Sequence, residues 1–130
     1  MSIPTKVEGG FRLFNGDALN IALATPQWQN NSNIVALAGG ALSANTPVLV
    51  NGVNEITTAA SGGDSVVLPK AAVGLVVFVA NTGASSVQVF GNGSDTINGI
   101  LGSTGVAQAN GKSALYVAAD EGQWYRILSA

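Results

Sequence analysis

Apolar residues in this chain fall into short runs, and the longest run rich in β-branched and aromatic side chains, Gly74 to Asn81, reads Gly-Leu-Val-Val-Phe-Val-Ala-Asn. Glycine at one end and Asn-Thr-Gly at the other confine it to a strand's length, and it lacks the 3.6-residue period of a helix. Alternation sends Leu75, Val77 and Val79 to one face and Val76, Phe78 and Ala80 to the other. Both faces are apolar, whereas a strand with one solvated face alternates apolar with polar, so each side of this strand needs a cover.

Downstream of Thr46 the same texture recurs. Val48-Leu49-Val50 ends at Asn51-Gly52, a two-residue hairpin signal that predicts pairing with Glu55–Thr58. Ser65–Leu68 is stopped by Pro69, and further runs follow at Val87–Phe90, Thr96-Ile97, Val106–Ala109, Ser113–Ala118 and Gln123–Leu128. Short strands at a spacing of about 8 to 12 residues predict an all-β chain, an antiparallel β-sandwich or barrel of about eight short strands. The intervening turns resemble one another in composition alone, which does not amount to an internal repeat.

Residues 1–43 have no single period. Phe11, Leu13 and Phe14 precede the turn Asn15-Gly16-Asp17. Ala18–Ala24 alternates as a strand does but also suits a short helix capped by Asp17, and the extended reading is preferred. Trp28 sits in a polar loop, and Ile34–Ala44 is a low-complexity Ala/Gly/Leu stretch. The chain therefore divides into an extended N-terminal arm, 1–43, for attachment, and a β-sandwich domain, 44–130.

Composition sharpens the question of cover. Of 130 residues, 47% are hydrophobic and only 9% charged, against about 25% charged in ordinary soluble domains. So few charges point to surface buried between copies. The basic residues Lys6, Arg12, Lys70, Lys112 and Arg126 are scattered and the net charge is -2, which excludes a nucleic-acid stripe. Neither cysteine nor histidine occurs. Serine thus lacks its usual base, and the adjacent acids Asp120 and Glu121 lie in a turn, so no catalytic residue, cofactor or metal is expected. The turn Gly91–Asp95 offers Asn92, Ser94 and Asp95 to a calcium ion, but one charged ligand makes a weak set. The N-terminus lacks the layout of a signal peptide and no apolar run reaches about 18 residues, so the expectation is synthesis in the cytoplasm and no membrane partner. In the last strand, Trp124 and Arg126 share one face while Tyr125 and Ile127 take the other. Trp28 with Trp124 or Tyr125 would make a sugar-binding platform, or the rings would anchor a neighbouring subunit.

From Gly63 to Ile127 the order Gly-Asp-Ser-Val-Val-Leu-Pro, Gly-Leu-Val-Val-Phe-Val-Ala-Asn-Thr-Gly, Val-Gln-Val-Phe, Asp95-Thr96-Ile97-Asn98-Gly99, Gly111-Lys112-Ser113 and Gly122-Gln123-Trp124 resembles the C-terminal β-domain of small structural proteins of tailed bacteriophages, found among head decoration, head fibre and tail-associated components. The resemblance covers about half of the chain. It implies an all-β fold, self-association, in threes on a capsid surface, and attachment to the major capsid protein or other virion subunits. It implies no catalytic residues. Phe11, Leu13, Phe14 and Trp28 are then the expected attachment residues, with Val76, Phe78, Tyr116 and Trp124 packing between copies. The alternative is a receptor- or glycan-binding module of a phage fibre or tail.

Overall fold

The computed structural model describes residues 28–130; the predicted attachment residues Phe11, Leu13 and Phe14 lie outside them. The described chain is all-β, with strands β1 (Gln29–Val35), β2 (Gly52–Thr58), β3 (Asp64–Val67), β4 (Val76–Asn81), β5 (Val87–Phe90), β6 (Thr96–Ile97), β7 (Ile100–Leu101), β8 (Val106–Gln108), β9 (Ser113–Asp120) and β10 (Gln123–Leu128). Seven of them form one sheet in the order β1-β2-β4-β9-β10-β6-β7, and a smaller sheet has the order β3-β5-β8.

The sheets are mixed, which corrects the expectation of an antiparallel sandwich or barrel. From β2 to β5 the chain alternates between sheets, so each strand's neighbour is one full coil away and runs parallel to it. Thus β1 pairs with β2, β2 with β4 and β3 with β5, all parallel. Asn30 lies beside Val53 and Asp64 beside Val87, a step of 23 residues in both cases. The architecture is a short solenoid-like stack. Its corners stack as well, with Gly63 N donating to Ser86 O at 3.2 Å and Ser85 N to Ala59 O at 2.9 Å. Glycine is needed where corners touch. A Cβ on Gly40 would stand 2.5 Å from Gly63 O, and one on Gly52 2.3 Å from Gln29 O.

Asn51-Gly52 is one of these corners and not a hairpin. Leu49 N donates to Val67 O on the small-sheet side, whereas β2, starting at Gly52, belongs to the large sheet. Buried Asn54 holds the corner from inside: its Oδ1 accepts from Val50 N at 2.8 Å, and its Nδ2 donates to Val50 O at 2.9 Å. Asn81 acts likewise, accepting from Gly83 N and donating to Ser85 O and Gln108 O. Backbone groups that leave the ladder at a corner are paired by these side chains rather than left dry.

The C-terminal part is built differently. β9 lies antiparallel on β4, β10 antiparallel on β9, and β8 antiparallel on β5, closing that end of the stack in both sheets. The core lies between the sheets, with Ile56, Val77, Val79, Tyr116 and Trp124 from the large one facing Val66, Val87 and Val89 from the small one. The predicted arm boundary at residue 43 falls beyond β1, whose Ile34, together with Ala36, belongs to this core. One ion pair ties the two parts together. Asp95, fully buried before β6, accepts from Lys70 Nζ and from Ala71 N, both at 2.7 Å, at the corner before β4.

Candidate self-association face

The alternation in β4 puts Val77 and Val79 in the core with no exposed surface, and Leu75 packs against the same cluster. Val76, Phe78 and Ala80 face outward and are half-buried. Pairing extends their chemistry across the sheet. Phe78 lies beside Val53 on β2 and Leu115 on β9, and Leu115 beside Ile127 on β10. One row along, Val76 lies beside Val117, and Val117 beside Tyr125. The outer face of the large sheet is thus apolar over four adjacent strands, at about 4.8 Å per strand. Exposure rises toward β10, where Tyr125 is 44% and Ile127 67% exposed.

Charges keep to the margin of this surface. Glu55 lies on the outward side of β2 one row beyond Val53, paired beside Ala80, and Asp120 and Glu121 mark the β9–β10 turn. Arg126 alternates with Tyr125 and Ile127, reaches the other side of the strand and donates to Ala107 O at 2.7 Å. A central patch without charges can meet an identical patch without like-charge repulsion. Sheets pack face to face through such surfaces, about 10 Å apart, with a polar rim around an apolar centre.

Two predicted interface residues belong to the core instead. Tyr116 and Trp124 have no exposed surface and pack in the main hydrophobic cluster. The reason is register. Tyr116 is paired with Val77, an inward residue, and Trp124 alternates with outward Tyr125. Tyr116 donates to Gln108 Oε1 at 3.1 Å, while Gln108 Nε2 donates to Val79 O and Lys112 O. Burial pushes the Tyr116 hydroxyl up to about 12, with neighbouring Arg126 opposing the shift. The residues that occupy the outer face in their place are Leu115, Val117, Tyr125 and Ile127. Strand alternation around Tyr116 and Trp124 was the available signal; the choice of which parity faced the core was not.

Trp28 stands at the far edge of the sheet, 56% exposed, beside a shallow hollow lined also by Asn51, Gly74 and Val76. Tyr125 lies on β10, four strands along the sheet from β1, which Trp28 precedes. Asp95, the only acid in the turn considered for calcium, is turned inward and taken by Lys70 and Ala71. Among the described residues no group of three or more acids, histidines or cysteines converges on a metal position, and no helix is long and apolar enough to cross a membrane. Comparison with protein-family models, curated proteins and solved structures finds no match.

Proposed function

We propose that this chain is a non-enzymatic structural subunit of a virion, which decorates or cements a bacteriophage capsid through self-association and through contacts with shell subunits. The observation that supports the reading is the apolar patch on the outer face of the large sheet, centred on Phe78, Leu115 and Ile127, which no second layer of described residues covers. Burying apolar surface there contributes about 25 cal/mol per Å², offset by the entropy lost on association, so a stable contact needs about 800 Å² from each partner. The resemblance to phage structural proteins supplies the setting, a capsid surface reached from the host cytoplasm, and the number three. Closed rings are the common arrangement of identical chains and leave no apolar face open.

The test is sedimentation of the full chain at tens of micromolar beside Ile127→Glu. We expect the wild type to sediment as a closed oligomer, and Ile127→Glu as a monomer with a melting temperature within about 2 °C of it, because residue 127 stands in solvent in the isolated chain. Wild-type protein that stays at 13.0 kDa both free and on purified particles, or that never joins particles, overturns the reading. An oligomer that Ile127→Glu leaves intact moves the contact off this face.

A further inference from the structure

We propose that Asn92 is a modification site, the one Asn-Gly bond among the described residues that the fold leaves free to deamidate. The reaction needs no enzyme. The backbone nitrogen of the following glycine attacks the asparagine Cγ and a new C–N bond forms, while the proton of that nitrogen leaves with the side-chain amine as ammonia. Water then opens the resulting cyclic imide at either carbonyl, which yields aspartate or isoaspartate and one more negative charge. Glycine favours the step because, lacking a Cβ, it lets its nitrogen turn toward the side chain.

Four such pairs lie among the described residues: Asn51-Gly52, Asn92-Gly93, Asn98-Gly99 and Asn110-Gly111. In three of them a hydrogen bond holds one of the two reacting groups. Asn51 Oδ1 accepts from Val76 N at 3.3 Å, and Gly52 lies against the backbone of Gln29. Asn98 Oδ1 accepts from Arg126 N at 3.0 Å. Asn110 is exposed, but the nitrogen that would attack it, Gly111 N, donates to Asn81 O at 2.7 Å.

At Asn92 both groups are loose. The side chain makes one long hydrogen bond, Nδ2 to Leu68 O at 3.4 Å, and Gly93 N meets no acceptor among the described residues. Gly93 is exposed, and a Cβ built on it would meet nothing within 4 Å, so its peptide has room to rotate. The product lands in a turn that the fold uses. Asn92 O accepts from Asp95 N at 3.0 Å, and Asp95 in turn holds Lys70 Nζ and Ala71 N. A carboxylate at position 92 would face the Leu68 carbonyl with no proton to donate, and isoaspartate would lengthen the backbone of the turn. Deamidation therefore acts on the link between the two parts of the fold.

Peptide mapping by mass spectrometry of the unmodified full-length chain, held in mildly alkaline buffer, tests this. The rate at each site in the folded protein is divided by its rate in urea, which removes the effect of neighbouring residues in the sequence. Having to open one hydrogen bond first slows a step about fivefold, so Asn92 should retain at least about five times the fraction of its unfolded rate that Asn51, Asn98 or Asn110 retains. Equal retention at the four sites, or greater retention at any of the other three, overturns the proposal. So does an Asn92 that stays intact in the folded chain over a period in which the urea sample is converted.

Discussion

The two halves of the described chain use the same materials, short apolar strands and glycine corners, and arrive at different pairings, all parallel in the first and mainly antiparallel in the second, where β10 on β6 is the parallel exception. In the first half β1, β2 and β4 stack in parallel because each connection crosses to the other side of the core and returns. In the second half β9 and β10 are joined through Glu121-Gly122, too short a link for any crossing, and pair antiparallel. Connection length, and not strand composition, decides the pairing. The consequence is a molecule with unlike ends. Among the described residues one end of the large sheet is the parallel-paired β1, and the other is the short antiparallel pair β6 and β7, whose Ile100 and Leu101 are exposed.

The strongest way to break the structure strikes where the halves meet, at the β4–β9 pair. Val77 has no exposed surface and lies beside Tyr116. Val77→Asp would place an unpaired carboxylate between the sheets, at about 4 kcal/mol or more, a large share of the stability of about 5 to 15 kcal/mol usual for small domains. Insoluble or unfolded protein by circular dichroism is the expected outcome. A soluble variant with unchanged melting would remove residue 77 from the core.

The next effect separates the halves. Gly52 sits at a stacked corner with φ of 144°, and a side chain there would run into the backbone of Gln29, whereas Gly122 in the β9–β10 turn has φ of 74° and only Asp95 Oδ1 nearby, at 3.6 Å. Gly52→Ala should therefore cost about 2 to 4 kcal/mol from backbone strain and overpacking together, and Gly122→Ala about 1 kcal/mol from φ alone. Comparing their melting temperatures checks this. Equal losses would mean that coil corners are no more tightly stacked than the hairpin turn.

That contrast also explains how much could be read in advance. The all-β class and both faces of β4 were legible, because period-2 alternation in Gly74–Asn81 depends on local sequence alone. Asn51-Gly52 misled, since an Asn-Gly pair, here with positive φ at Gly52 alone, serves a coil corner as well as a hairpin and the difference lies in which strand comes next. Tyr116 and Trp124 misled for a related reason: alternation says that neighbours point apart, but only pairing with Val77 says which side is inside. The coil step of 23 residues was visible at Gly39 and Gly62. It was hidden because the stacked strands share an inward position and little else, so identity is confined to the corners.

A smaller effect belongs to the hairpin half and to alkaline pH. Tyr116 ionises at about 12 in the folded chain and at about 10.0 when exposed. The unfolded state thus releases its proton first, so the stability that depends on a neutral Tyr116 is complete below pH 10 and falls as pH rises toward 12. At about 1.4 kcal/mol per unit the whole loss is about 2 to 3 kcal/mol. Denaturant titrations at pH 9 and 11.5 measure it. Tyr116→Phe should flatten the difference between the two pH values, and an equally steep loss in that variant would assign the effect to other groups.

The smallest expected effect is at the ion pair joining the halves, where the two partners are not equivalent. Asp95 is fully enclosed, while the Lys70 side chain is 65% exposed. Removing the lysine charge in Lys70→Met keeps the apolar stem and leaves Asp95 accepting from Ala71 N, with water able to reach the vacated side of the carboxylate. Exposed partners of this kind contribute below about 1 kcal/mol. Removing the carboxylate is different in kind, because Ala71 N would then be buried without an acceptor, at about 1 to 3 kcal/mol. Urea midpoints for Lys70→Met and Asp95→Ala should therefore differ at least twofold in their shift from wild type. If the two shifts are equal, the contact between the halves is carried by the charge pair itself and not by the backbone bond that Asp95 completes.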